Sequence, residues 1–355
     1  VRRSLYGSTE DEVLEKLDEH NRRRRLGLGR VDESLTVATY LQAWSDGLMG
    51  LRPRTLESYR FTVDRHLIPR LGTLSLLDLQ AADIRRVVRS IDDEIGGRTA
   101  GYALTILRMA LGQAVSDRIL ERNEAASVRK PATADHSDDP FLDAAAARTF
   151  LAAVAGDRLE ALYVVAVTLG LRRGEILGLG WRQVDLKAGT LAVTRTLSYL
   201  PGDAYDLTPP KTKRARRIVR IPAIAVAALE EHRGRQNRER LAAGTTWRKD
   251  WSKAELVFTT KTGGPIAGST LSHALHRHLA AAGLKRIRFH DLRHSATSML
   301  IEAGVSRPKV QELLGHSDPS MTDRYTHVAP SSSDAADAMD RLLAPPAAAV
   351  EGGEP

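Results

Sequence analysis

The chain has 355 residues, 42% of them hydrophobic, which is enough for two domains with their own cores. It contains no cysteine, so disulfide frameworks and cysteine-ligated zinc are excluded, and no apolar run reaches membrane-spanning length. The formal charge of +8 and the pI near 9.8 favour a polyanionic partner, most simply nucleic acid. An arginine-rich composition alone would give the same balance, so charge by itself does not decide. With no leader-like start, a soluble, cytoplasmic protein is expected.

In chain order, residues 1–30 suggest a short strand followed by a helix whose stripe is Val13, Leu14 and Leu17, closed by the run Arg22 to Arg25. The piece is expected to be too small to fold alone, and the arginine run suits a solvated linker or a phosphate backbone. Residues 34–128 predict four or five helices. Val37, Leu41 and Trp44 share one face; Leu56, Tyr59, Val63 and Leu67 share the next, which should stop at Pro69 and Gly72; Tyr102, Ile106, Met109 and Val115 repeat the pattern. Arg54, Arg60, Arg65, Arg85, Arg86, Arg89 and Arg108 are expected on the exposed faces of this small basic domain.

Residues 129–140, rich in Pro, Asp and Ser, form an interdomain linker. Residues 141–343 are mainly helical again, interrupted at 185–221, where "GTLAVTRTL" and "RRIVRIP" predict strands of one small sheet. Residues 344–355 are low in complexity and are expected to be disordered. The fold class is therefore mainly α with a small β component.

Four stretches in the last region carry chemistry. "TLGLRRGEILGL" places Arg172 after a Gly-Leu turn with Glu175 three residues on. Taken alone, an Arg beside a Glu is a surface ion pair. "PPKTKRARRIVRIP" puts Lys211 on the approach to a strand, with five more basic residues before Pro222; a basic hairpin is commonly a solvated or phosphate-contacting edge. "RFHDLRHSAT" sets His290 and Arg293 at i, i+3 on one helical face, and "LGHS" supplies His316 nine residues before Tyr325. His290 and His294 also have the i, i+4 spacing of a helical zinc site. However, Asp291 stands where a zinc protease carries its general-base glutamate, and Arg293 would lie beside the ion. "SHALHRH" (272–278) holds three histidines that no single helical face collects, so it is expected to be exposed.

Together these residues suit a phosphate. Two arginines can each give bidentate hydrogen bonds to phosphate oxygens, the histidines and lysine move or donate protons, and Tyr325 is the one nucleophile in the set. Phosphoryl transfer mostly requires positioning and charge neutralisation, which Arg172, Arg293 and Lys211 can supply without a metal ion.

The ordered set resembles the tyrosine recombinases, the phage integrase family. Arg172 lies in "GLRRGE", Lys211 in "PKTK", His290 and Arg293 in "HDLRH", His316 in "LGHS" and Tyr325 in "RYTH", in the family's order. Each motif is weak alone; the ordered six are specific. The resemblance covers about 34–343 and implies a helical core-binding domain followed by a catalytic domain. Residues 1–20 resemble the end of the family's arm-binding domain. Ala215 departs from the serine often found at that position in related integrases.

The resemblance also implies the chemistry. Arg172 and Arg293 would clamp the scissile phosphate, Tyr325 would form a 3′-phosphotyrosine, and Lys211 would protonate the leaving 5′ oxygen. His290 would assist proton movement at the tyrosine, and His316 would hydrogen-bond a phosphate oxygen, with Glu175 and Asp291 orienting their neighbours. The partners implied are double-stranded DNA and a homo-tetramer, with an excision factor or a host DNA-bending protein as accessories. No ATP, metal or membrane is implied. A type IB topoisomerase and a catalytically silent DNA-binding regulator are the alternatives. Near the C-terminus, Ala335, Ala338, Met339 and Leu342 form a narrow stripe on a short helix, with Asp337, Asp340 and Arg341 mostly outside it and Ser332, Ser333 or Asp334 as its cap. Such a helix could cover its own domain; the family likeness favours docking on a neighbouring protomer.

Overall fold

Two hydrophobic cores form among the described residues, one in each of the units into which the chain divides, Val1–Asp135 and His136–Pro355. The computed structural model describes residues 8–25, 34–132, 141–200, 204–210, 215–315 and 335–344.

In the first unit, helix α1 (Glu10–Arg25) opens with Glu10, Asp11 and Glu12, whose negative charge suits the positive end of the helix dipole. The arginine run expected to end this helix is part of it. Its apolar stripe is not core, since Leu14 and Leu17 are exposed, and Arg22 instead pairs with Glu121 at 2.7 Å. The expected strand before it lies outside the described residues. Helix α2 (Val37–Asp46) is capped by the Thr36 side chain, which accepts from the Thr39 N–H, and buries Val37 and Leu41.

The helical run that starts with α3 (Pro53–Thr62) passes Pro69 and reaches its expected stop at Gly72. It widens into a π-turn, Val63–Leu67, and continues as α4 (Ile68–Leu71). The Ile68 N–H reaches back to the Val63 carbonyl. Pro69, which has no N–H to give, thereby falls in the first turn of the new segment, where none is needed. Helix α5 (Ala81–Ile95) buries Ile84, Val87, Val88 and Ile91.

Helix α6 (Gly97–Ser116) is present where expected but turned. Alanines 100, 103, 110 and 114 pack inward with Leu104, Ile106, Leu107 and Leu111, and Tyr102 and Met109 are exposed. Small side chains let α6 approach its neighbours closely, and size alone had assigned the face to the larger residues. Arg108 is not a surface cation either. Its Nε donates to the Ala125 carbonyl at 2.9 Å and its Nη2 to that of Val128, holding the segment that follows α6.

The second unit is built around α8 (Glu160–Leu169), in which every residue from Ala161 to Leu169 is buried, as expected of a helix apolar all round. Against it pack α7 (Ala144–Val154), α10 (Ala223–Ala243) and α12 (Asp291–Glu302), and short α9 (Arg173–Leu177) follows it. Phe150 meets Tyr163 edge-on at 5.5 Å between ring centres.

The β component is two sheets, not the single one expected. Strands β1 (Val184–Asp185), β2 (Thr190–Val193) and β5 (Arg217–Arg220) form an antiparallel sheet in the order β1-β2-β5, and β3 (Thr196–Leu200) pairs with β4 (Ala204–Thr208) as a separate hairpin. The division falls between Val193 and Thr196, and Arg195 in this connection donates through its guanidinium to the carbonyls of Gly178 and Ala254. Helices α11 (Gly268–Ala281) and α13 (Arg307–Leu314) complete the core, with α14 (Ala335–Leu343) across it.

Within the single chain, helix α14 packs on its own unit, against α7, α10, α12 and α13, the alternative to a seat on a neighbouring protomer. Ala336, Ala338, Met339 and Leu343 are buried, a wider face than the predicted stripe. Asp340, expected outside that stripe, accepts from the N–H groups of Ala223 and Ile224 at 2.8 and 3.1 Å. It thus caps α10, whose own N-cap, Pro222, has no side-chain acceptor. Arg148 adds a bond to the Leu342 carbonyl. The candidate capping residues Ser332, Ser333 and Asp334, and nearly all of the expected disordered tail, lie outside the described residues.

Candidate active site

Gly170 ends α8 in the left-handed region, φ 56°, where a side chain would be strained. Space demands glycine as well: a Cβ there would lie 2.7 Å from Leu314 Cδ2 and 3.1 Å from Ala296 Cβ. This close approach brings the end of α8, the middle of α12 and the end of α13 to one point. Arg172 follows two residues later as the N-cap of α9, and Arg293 projects from α12 into the same junction.

Arg293 is buried, and its guanidinium is spent partly on backbone. Nη1 donates to the Gly170 carbonyl and Nη2 to the Leu314 carbonyl, both at 2.7 Å. It thus fixes the residue before the Arg172 turn and the residue before Gly315–His316. Arg172 is more open, its side chain 38% exposed. Its Nη1 donates to Glu175 Oε1 and its backbone N–H to Glu175 Oε2, both at 3.0 Å. The surface ion pair that Arg172 and Glu175 could have formed is therefore half-buried, with the carboxylate almost wholly out of water.

Glu175 is shared. Arg217 of β5 donates from Nη2 to Glu175 Oε2 at 3.1 Å and from Nη1 to Oε1 at 3.4 Å, with both side chains buried. Burial alone would push the Glu175 carboxyl up. The charge and hydrogen bonds of Arg217, with those of Arg172, reverse this and hold it below the usual carboxylate range.

His290 caps α12, and its carbonyl accepts from the Arg293 N–H at 3.0 Å. Its ring meets His294 edge-on at 5.4 Å. Desolvation, then His294 and the positive charges of Arg293 and Arg172, push the imidazole down to about 4, with Asp291 opposing. It is neutral at physiological pH although the residue is partly exposed. Asp291 accepts from the Arg288 N–H at 2.6 Å and from its guanidinium at 2.7 to 3.1 Å, bracing the turn that leads into α12.

The structure thus brings Arg172, His290 and Arg293 to one junction. Lys211, His316 and Tyr325 lie outside the described residues. Among those described, no group of three or more His, Asp or Glu could hold a metal ion. Of the three histidines of α11 expected on an exposed face, only His273 is exposed: His276 Nε2 lies 3.1 Å from the Ile287 carbonyl, and His278 is half-buried beside Asp157 and Tyr163. Arg217 had not been separated from its basic run. A signal was there: if Val219 and Ile221 face inward on a strand, residue 217 must as well.

The description "Phage integrase family" matches residues 140–332, more than half of the chain. The chain belongs to the phage integrase family.

As a member it is a tyrosine recombinase, an enzyme that cuts and rejoins DNA. It is 29% identical over 348 residues to a "Tyrosine recombinase XerC-like" protein of Caldanaerobacter subterraneus subsp. tengcongensis, covering 93% of this chain and 89% of that one. Its fold is similar to that of the Tn1549 transposon integrase in complex with a circular intermediate DNA. The TM-score there is 0.70 at 20% identity, covering 87% of this chain and 100% of that one. A lambda integrase tetramer bound to a Holliday junction aligns with a TM-score of 0.61 at 18% identity, covering 93% and 90%. The fold is mainly helical with small antiparallel sheets, and the expected class, mainly α with a small β component, is the one observed. No helix among the described residues is long and apolar enough to cross a membrane.

Proposed function

We propose that this recombinase exchanges strands between two specific double-stranded DNA sites through a 3′-phosphotyrosine on Tyr325, integrating or excising a mobile element or phage. The observation that carries the reading is the junction at Gly170. Residues 121 positions apart in the chain, Arg172 and Arg293, meet there beside a neutral imidazole, and Arg293 grips the backbone that leads directly to His316.

In this reading Arg172 and Arg293 bind the non-bridging oxygens of the scissile phosphate and neutralise the charge that builds on them. The Tyr325 oxygen attacks phosphorus as the bond to the 5′ oxygen breaks. Neutral His290 can take the phenolic proton, Lys211 gives one to the departing 5′ oxygen, and His316 donates a hydrogen bond to the phosphate. Attack by the 5′-hydroxyl of the partner duplex reverses these steps and seals the exchanged strands. No cofactor is assigned, because the chain's own cations neutralise the phosphate. Residues 34–128 would be the core-binding domain, 141–343 the catalytic domain and 129–140 their linker, with four protomers around two DNA sites, an assembly supported by the lambda integrase tetramer bound to a Holliday junction. An excision factor or DNA-bending protein would set direction.

The test is a two-site recombination assay with a parallel trap for the covalent adduct. The wild-type protein should yield both products, and Tyr325→Phe neither, while retaining DNA binding. A covalent adduct with the Phe variant would exclude Tyr325 as nucleophile. Relaxation of supercoils without exchange of two sites would favour the topoisomerase alternative. Lys211→Ala should recover cleavage on a 5′-bridging phosphorothiolate, whose sulfur leaves without a proton; recovery by the arginine variants instead would reverse the assigned roles.

A further inference from the structure

Arg217 makes more contacts than a sheet residue needs. Its Nε donates to the Leu313 carbonyl at 2.5 Å, Nη1 to the Ala215 carbonyl at 3.1 Å and to Glu175 Oε1, and Nη2 to Glu175 Oε2. The side chain is 6% exposed, and the register that turns it inward leaves Ile218, the next residue, 75% exposed. A strand with a solvated isoleucine and a buried guanidinium has given up ordinary apolar burial to hold a charge inside. A buried ion pair is a poor way to gain stability, since apolar side chains of similar volume often serve as well or better.

What Arg217 holds is specific. On one side is Glu175, whose two oxygens also bind the Arg172 guanidinium and backbone N–H. On the other is Leu313, the penultimate residue of α13. The next carbonyl, that of Leu314, is taken by Arg293. Gly315 then turns in the left-handed region, φ 64°, and His316 follows. The end of α13 is therefore held by two arginines. One is a candidate phosphate ligand, and the other is bonded to the carboxylate that orients the second candidate ligand.

We propose that Arg217 is a positioning residue of the recombination site, locking Arg172, through Glu175, into one frame with the end of α13 that carries His316. This rests on the function proposed above. A planar guanidinium fork can bond a carboxylate and a carbonyl at once in fixed directions, and an ammonium cannot. If Arg217 acts through Arg172, its effect must depend on the phosphate oxygen that Arg172 neutralises.

The experiment compares single-turnover cleavage by wild type, Arg217→Lys and Glu175→Gln on two duplexes. One carries the normal scissile phosphate, the other a methylphosphonate, in which a neutral methyl replaces a charged oxygen. DNA affinity and thermal unfolding are measured alongside. On the phosphate, Arg217→Lys should cleave at least about 30-fold more slowly than wild type with DNA affinity within about threefold. On the methylphosphonate, the gap should close to less than about threefold, with Glu175→Gln behaving in the same way. An equal defect on both duplexes, or cleavage of the phosphate at the wild-type rate, would overturn the positioning role. If Arg217→Lys does not fold, Glu175→Gln decides by the same comparison, since it keeps the side-chain volume and removes only the charge. Wild-type protein that forms no covalent adduct on the normal duplex would refute the proposed function itself, an outcome distinct from either.

Discussion

The two units handle charge in opposite ways. In the first, with Arg108 as the exception, the arginines expected outside are outside, and an ion pair such as Arg60–Asp46 sits in solvent at 3.1 Å with both partners exposed. In the second, Glu175, Arg217, Arg293 and Asp291 are all buried, each bonded to backbone or to an opposite charge. Surface cations around an apolar core can be replaced singly at little cost. Buried ones stand or fall together, because removing one strands its partner away from water. The contrast is physically sensible for a protein of this family. Backbone contacts to DNA need exposed, adaptable cations, whereas phosphoryl transfer needs cations held still before the charge develops.

The contrast can be broken most sharply at Glu175. Glu175→Ala leaves Arg217 buried without its carboxylate and should cost about 3–5 kcal/mol of unfolding free energy. Denaturant titration of the second unit's transition measures it, and a loss under about 1 kcal/mol would mean the pair is solvated. His290 provides a pH signature of the same region. Its folded value near 4 lies below its ordinary value of 6.5, so between these limits the unfolded chain takes up a proton that the folded site refuses. That contribution is fully present above pH 6.5 and is lost as pH falls towards 4. Wild type should therefore lose more stability between pH 7 and 5 than His290→Asn, and parallel losses would show that His290 is not the group responsible.

A smaller effect is expected at Asp340. Its carboxylate caps α10 from α14, and Asp340→Ala should cost about 1 kcal/mol, the ordinary worth of an N-cap, read from the urea midpoint. An unchanged midpoint would mean that α14 leaves its seat in solution. The smallest effect belongs to the first unit. Arg60→Ala should change stability by less than about 1 kcal/mol, whereas a loss like that at Glu175 would erase the distinction between the two units.

The helical core of the first unit was legible because apolar spacing reports a helix face directly. It misled at α6, where alanines do the packing, and at α1, where Leu14 and Leu17 at helical spacing stay exposed and join no core. Strands β2 and β5 and the start of β3 were legible as segments, whereas β1 and β4 were not. The division into two sheets was not legible either, because pairing partners are chosen by tertiary contacts such as those of Arg195 with carbonyls 17 and 59 residues away. The cap that α14 places on α10 was not legible for a similar reason: Asp340, outside the apolar stripe, reads as a solvated residue until the N-terminus of α10 arrives above it.

The amino-acid sequence by itself determined the chemical inventory: two arginines, a lysine, two histidines and a tyrosine in a family-specific order, on a chain basic enough to seek DNA. Side-chain chemistry and local spacing suffice for that, since both are properties of short stretches. Only the tertiary structure decided which charges work together. Arg217 is one of five basic residues that follow Lys211 before Pro222, and nothing local distinguishes it from Arg216 or Arg220. The strand register and the docking of α9 and α13 place it between Glu175 and Leu313, where burial weakens the screening that water would otherwise provide.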